Sequence, residues 1–432
     1  MSPSQQPTVK IWWSNATFFV STHIAAVICV YLRPPTTIPR ETLLMAFLLW
    51  QLADFGITIG YHRLWSHRTF RANLYVRVVL AALGSSAFQG SIKWWCVHIK
   101  FVVIILMILM YFRCLRHRLH HRFTDDLQHD PYAATRGLFY SHMGWIFFKP
   151  VYERVKLVDR EDLDRDPVVR FQHEHYVPLA IVFGYAVPVG LGSLWRDPVG
   201  AFIYGGLVTR LAVWHCTFLV NSLAHWDGPQ PYSDEDTSRG NIVLAILTGG
   251  EGNHNFVCTQ IHNRHAFPHD YRSGPSRLDW DPSKWIIAAL HFLGLIQSVR
   301  RARPEDINEA RFYMHHKNHG IMDSGSDNDW SGEEWNCEQA RTYITGRPGA
   351  CLLVIDGFLV DVSVYLGEHP GGAALLRDYS RISLGDDGKE TWRDSSWAFG
   401  GGLNNHGRAA KRKMGELRVA KISDNFYCAI RT

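Results

Sequence analysis

The chain has 432 residues, 47% of them hydrophobic and 20% charged, with a formal net charge of +5. That apolar content excludes a disordered chain, and so small a positive excess argues against a nucleic-acid partner, which calls for a basic stripe. Eight Cys without a Cys-x-x-Cys pair argue against a disulfide framework or a zinc ribbon, whereas 23 His and 16 Trp point to metal or heme ligation beside a membrane interface or an acyl chain.

In chain order, four apolar stretches approach the about 20 residues that a bilayer crossing needs: 11–32, 42–60, 177–195 and 199–220. Between the second and third, Arg63, Arg68, Arg71 and Arg77 follow one span, and Arg113, Arg116, Arg118 and Arg122 precede the other. The positive-inside rule assigns these segments, and with them both termini, to the cytosol. The stretch 74–89 is apolar but carries Arg77 and small residues, and it reads as an interfacial or re-entrant helix. Arg210 lies within the fourth span, where a charge costs about 2.5–3.5 kcal/mol, so it must face the bundle interior. From about residue 300 the chain turns polar, with His315, His316 and His319, and reads as a linker. A compact soluble domain follows, in which Asp356-Gly357 between two apolar runs predicts a two-residue hairpin.

The cytosol-facing segments concentrate paired histidines: His62 with His67; His117, His120 and His121; Asn221 with His225; then His254, His262 and His265. His117, His120 and His121 are spaced i, i+3 and i+4, so on a helix they share one face, and Asn221 and His225 are i, i+4. Imidazole suits zinc, copper, iron and nickel alike. The number of candidates is enough for two metals.

Several motifs carry a resemblance. They include Gly60-Tyr-His-Arg-Leu-Trp-Ser-His-Arg68, His117-Arg-Leu-His-His-Arg-Phe-Thr-Asp125, Arg136-Gly-Leu-Phe-Tyr-Ser-His-Met-Gly-Trp145, Asn221-Ser-Leu-Ala-His-Trp226, Gly250-Glu-Gly252 and Phe267-Pro-His-Asp-Tyr271. With them the chain resembles the membrane acyl-CoA desaturases, specifically the fungal stearoyl-CoA Δ9-desaturase type with a fused C-terminal cytochrome b5 domain. The last hundred residues resemble cytochrome b5 through His369-Pro-Gly-Gly372 and Asn405-His-Gly-Arg-Ala-Ala410.

The resemblance implies an α-helical integral membrane protein, with four transmembrane helices and a cytosolic helical cap, followed by a small α+β heme domain. It divides the chain into a desaturase domain (1–300), a linker (301–330) and a cytochrome b5-like domain (331–425). It implies two non-heme irons held by His62, His67, His117, His120, His121, His225, His254 and His265, with Asn221 reaching one iron through a water. His262 substitutes for the displaced member of the last histidine pair only if the loop 257–264 folds back. Heme b falls to His369 and His406. Trp95, Trp214, Thr217 and Phe218 match the lining of the acyl tunnel, and Gln89, Arg116 and Lys149 the region near the CoA head group. The partners implied are a saturated acyl-CoA such as stearoyl- or palmitoyl-CoA, O2, cytochrome b5 reductase and the bilayer of the endoplasmic reticulum, with the site facing the cytosol. A fatty-acid hydroxylase of the same histidine-box class and a membrane-tethered heme electron carrier are the alternative functions.

The sequence departs from the family pattern at 96–114, which separates the tryptophan motif from the second histidine box. It departs again at 257–264, inside the last box, and at 378–396, between the two heme histidines. A membrane crossing at 96–114 would put the first and second boxes on opposite faces.

Overall fold

The computed structural model describes residues 10–93, 114–149, 154, 158–257, 267, 269–319, 330–367, 369, 372–380, 383–384, 390–400, 402–403, 406, 408–423, 426 and 430–431. The chain forms two compact units, Met1–Thr259 with Phe267–Ile307, and Gln260–Ala266 with Asn308–Thr432.

In the first unit, α1 (Trp13–Leu32) and α2 (Arg40–Ser66) are followed by the short α3 (Leu74–Ser86), α4 (Cys114–Arg122) and α5 (Leu138–His142), then by α6 (Tyr176–Ser193) and α7 (Pro198–His225). α1, α2, α6 and α7 are long and apolar enough to cross a membrane, and they coincide with the four stretches read from the sequence. At ~1.5 Å per residue α3 spans about 20 Å, short of the hydrocarbon thickness. The two connections α1–α2 and α6–α7 are tied by one buried carboxylate. Asp197 accepts from the Gly200 amide at 3.0 Å, capping α7, and from Thr42 Oγ1 at 2.8 Å, and it pairs with Arg33 at 3.3 Å. Arg210 is 1% exposed and donates to the Gly184 carbonyl at 3.1 Å, so this intramembrane charge faces inward as the sequence requires.

The end of α2 is not an ordinary α-helix. Gly56–Ser66 winds as a π-helix, and the His67 amide bonds the His62 carbonyl five residues back, at 2.9 Å. This wider turn stacks residue i over i+5, which sets the His62 and His67 rings 4.5 Å apart. The same segment approaches α3 closely: a Cβ on Gly56 would lie 2.4 Å from the Gly84 amide nitrogen. Only a residue without a side chain permits that contact.

Pro304–Asn318, which runs from the end of the first unit's chain into the second's, is helical within the stretch read as a linker. Four strands of the second unit form one sheet, β1 (Glu334–Trp335), β2 (Leu352–Ile355), β3 (Phe358–Asp361) and β4 (Arg418–Ile422), in the order β1-β4-β3-β2. β2 and β3 form the expected hairpin, and Asp356 and Gly357 both have positive φ (50° and 79°), as a primed turn demands. β2 is apolar throughout because the sheet is covered on both faces. Leu352 and Val354 pack with Ala420 and Ile422, while Leu353 and Ile355 pack with Val360, Leu376 and Met414.

Candidate metal centre

Seven of the predicted histidines converge as two groups in the first unit. His62, His67, His117 and His121 bring one ring nitrogen each within 4.8 Å of one another, and so do His120, His225 and His254. α4 serves both. Residues on a helix turn by ~100° each, so His117 and His121 point into the first group while His120, beside them, points into the second. The shared face expected from spacing is therefore split between two sites, with the His120 and His121 rings 5.4 Å apart. The His225 ring lies 5.7 Å from His120 and 5.0 Å from His254.

The first and second boxes meet in one site although 94–113 lies outside the described residues. His262, His265 and Trp95 also lie outside them. Asn221 and His225 are not successive turns of one α-helix, as their spacing suggested. The α-helical part of α7 ends at Asn221, and Leu223–His225 is a 3-10 turn. Asn221 thus lines a cavity while His225 joins the second histidine group.

The donor set fits metal ions better than it fits itself. Nε2 of His67 lies 2.9 Å from Nε2 of His62 and 3.1 Å from that of His117, which lies 2.8 Å from Nε2 of His121. An imidazole nitrogen either donates one proton or offers one lone pair. His67 and His117 each face two partners through a single nitrogen, so these contacts cannot all be hydrogen bonds. In the second group, both nitrogens of His254 are buried without a hydrogen-bond partner among the described residues. Burial, reinforced by the neighbouring rings, pushes His67, His117 and His254 well below the ordinary imidazole range. Neutral rings with lone pairs aimed at a common point are metal ligands in waiting.

Outer residues orient these rings. Asp130 Oδ1 holds Nδ1 of His120 at 2.8 Å, and Thr237 Oγ1 holds Nδ1 of His225 at 2.9 Å while donating to Asp125 at 2.8 Å. Each contact leaves Nε2 for the metal side. Burial alone would lower His120, but Asp130 outweighs it and raises the ring. Glu251 Oε1 sits 3.2 Å from Nδ1 of His62. Burial would raise this carboxyl, yet His62 and Arg63 hold it at about 2. Arg63, 3% exposed, also bonds the Tyr271 carbonyl at 2.8 Å and Asp281 at 3.1 Å. Glu251 lies inside the Gly250-Glu-Gly252 motif, but neither it nor Asp130 was assigned a role from the sequence; a carboxylate three residues ahead of His254 was the available signal. Arg63→Ala strands two buried carboxylates and should cost about 3–5 kcal/mol, read as a lowered thermal midpoint and reduced metal content.

A cavity enclosing about 1250 Å³, part of it open to solvent, reaches the first group at His62 and His117. Gln89, Arg116, Trp214, Thr217 and Phe218, all singled out from the sequence, line it. Gln89 donates to Thr217 Oγ1 at 3.0 Å, and Arg116 lies over the Trp145 ring at 4.7 Å. Trp12, Phe18, Phe19 and Asp54 line it too and were not foreseen. Lys149 does not reach the cavity wall. It is exposed, and its amide bonds the Lys10 carbonyl at 2.9 Å.

In the second unit the two remaining histidines flank one apolar cluster. The His369 ring is 5.9 Å from Tyr365 and the His406 ring 4.3 Å from Phe399, and Tyr365 and Phe399 both pack against the Leu353–Val360–Met414 cluster. His406 Nδ1 donates to the Phe399 carbonyl at 2.7 Å, which fixes its tautomer.

No family model matches the chain. It is 34% identical to acyl-CoA desaturase 1 of Saccharomyces cerevisiae, over 90% of this chain and 69% of that protein. It is 32% identical to a probable acyl-CoA desaturase of Schizosaccharomyces pombe, over 97% of this chain and 80% of that protein. With stearoyl-CoA desaturase 5 of Bos taurus it shares 34% identity, over 70% of this chain and 83% of the relative. At 32–34% identity over 69–83% of these relatives' own lengths, the chain belongs to the acyl-CoA desaturase family.

Proposed function

We propose that the chain is an O2-dependent acyl-CoA Δ9-desaturase, placing a cis double bond in a saturated fatty acyl-CoA. The observation that carries the reading is the pair of histidine groups, the first of which reaches the wall of a largely apolar cavity through His62 and His117. The family implies two irons, for which His62, His67, His117 and His121 would form one site and His120, His225 and His254 the other. Asn221, His262 and His265 are further candidate ligands. Irons bound there supply the redox chemistry that couples reduction of O2 to removal of two hydrogens from the acyl chain.

The chain's own residues do the rest. Trp214, Thr217, Phe218 and Gln89 hold the acyl chain and exclude water. Asp130, Thr237 and Glu251 keep the imidazoles oriented. Trp95, Arg116 and Lys149 are proposed substrate contacts, and Lys149, being exposed, suits a CoA phosphate. The division into 1–300, 301–330 and 331–425 assigns the last part to a cytochrome b5-like heme domain with His369 and His406 as axial ligands. Two imidazoles leave no open position for O2, which suits electron transfer. A cytochrome b5 reductase on the cytosolic face of the endoplasmic reticulum would reduce it.

Expression in a desaturase-deficient host, followed by fatty-acid analysis, tests the reading. Unsaturation at the ninth carbon is expected. A hydroxylated product would favour a hydroxylase, and no new product from a correctly inserted, heme-loaded protein would favour a tethered electron carrier.

A further inference from the structure

Three histidines outside the two metal groups join end to end behind the cavity wall. Nδ1 of His23, on α1, lies 2.7 Å from the Phe19 carbonyl, and its Nε2 lies 3.0 Å from Nε2 of His215, on α7. Nδ1 of His215 lies 3.0 Å from Nε2 of His142, on α5, and Nδ1 of His142 lies 3.0 Å from Ser222 Oγ. Ser222 Oγ reaches the Phe218 carbonyl at 2.9 Å. His215 uses opposite nitrogens for its two neighbours, so the rings do not chelate one point; the geometry is that of a relay.

The hydrogens can be counted. A carbonyl only accepts, so His23 carries its proton on Nδ1 and its Nε2 must accept. His215 then donates from Nε2 and accepts at Nδ1, and His142 donates from Nε2 and accepts at Nδ1. Ser222 is left to donate both to His142 and to the Phe218 carbonyl, and it has one hydrogen. The neutral chain therefore makes four of its five bonds. One added proton, on any of the three rings, satisfies all five.

We propose that His23, His215, His142 and Ser222 form a binding site for one shared proton, whose uptake completes an unbroken hydrogen-bonded tie between α1, α5 and α7. Phe19, Trp214 and Phe218, which pack on these rings, line the cavity, so the tie braces its wall. The titratable groups that act on His215 are His142 and His23. No carboxylate, lysine or arginine among the described residues bonds any of the three rings. Burial pushes His142 below its ordinary value, against the Phe218 carbonyl, which favours its protonated form, so the proton enters below neutral pH.

The test is a histidine 15N NMR titration of the full chain in detergent micelles, from mildly alkaline to mildly acid pH. Signals are assigned by their loss in His23→Gln, His142→Gln and His215→Asn. The three rings should move with one common midpoint and take up one proton together. His215→Asn, which removes the middle of the relay, should part the His23 and His142 midpoints by about one pH unit. His23→Gln, at the end of the relay, should leave His142 and His215 titrating together. Three independent uptakes, or His142 and His215 separating in His23→Gln, would overturn the proposal.

Discussion

His121→Ala should form no double bond in the desaturase-deficient host, and its non-heme iron content should fall from two to one per chain. His121 supplies one of four nitrogens in the first group, where its Nε2 faces that of His117 at 2.8 Å. Loss of an orienting outer-shell partner costs about 10–100-fold in metal affinity, and loss of the ligand itself costs more. Reduction of O2 with removal of two hydrogens needs both metals, so activity is lost while the second group stays intact. His120→Ala empties the other group, with the same effect on activity and the same fall in iron. His129→Ala is the control. That ring contacts Asp126 at 3.1 Å, belongs to neither group, and should keep nearly full activity. Measured activity in His121→Ala close to that of the parent, with both irons bound, removes the metal assignment of these boxes.

The elements that were legible in the sequence are those governed by local rules. Four apolar runs gave four membrane-length helices because length and apolarity decide a span. Asp356-Gly357 gave a hairpin because two positive φ angles restrict the residues allowed. The histidines were legible as a set but not in their grouping. His117, His120 and His121 look alike in spacing, and only the placement of α4 between α2 and α7 assigns two to one site and one to the other. The π-helical turn that stacks His62 on His67 left no composition signal; it follows from packing, where Gly56 lets α2 touch α3. Glu251 and Asp130 were hidden for a similar reason. An outer-shell role is defined by the nitrogen a carboxylate holds, and that partner lies 189 and 10 positions away respectively in a chain that must first fold.

His406→Ala, made in the full-length chain, should convert a six-coordinate low-spin heme to a five-coordinate high-spin one that binds carbon monoxide, and His369→Ala should do the same. The two rings flank a common apolar cluster in the second unit, and the Phe399 carbonyl fixes the proton of His406 on Nδ1, the tautomer that an axial ligand bound through Nε2 requires. Removing either imidazole opens a position on the iron. The membrane unit has a separate core, built from α2, α3 and their neighbours, so its two non-heme irons should remain bound in both variants. Desaturation should then stop for want of electrons although the metal groups are filled. That outcome separates an electron-supply defect from the ligand loss of His121→Ala, in which the heme spectrum is normal and iron is missing. A low-spin spectrum that persists in His406→Ala, with no carbon monoxide binding, rejects His406 as a ligand and with it the heme assignment of the second unit.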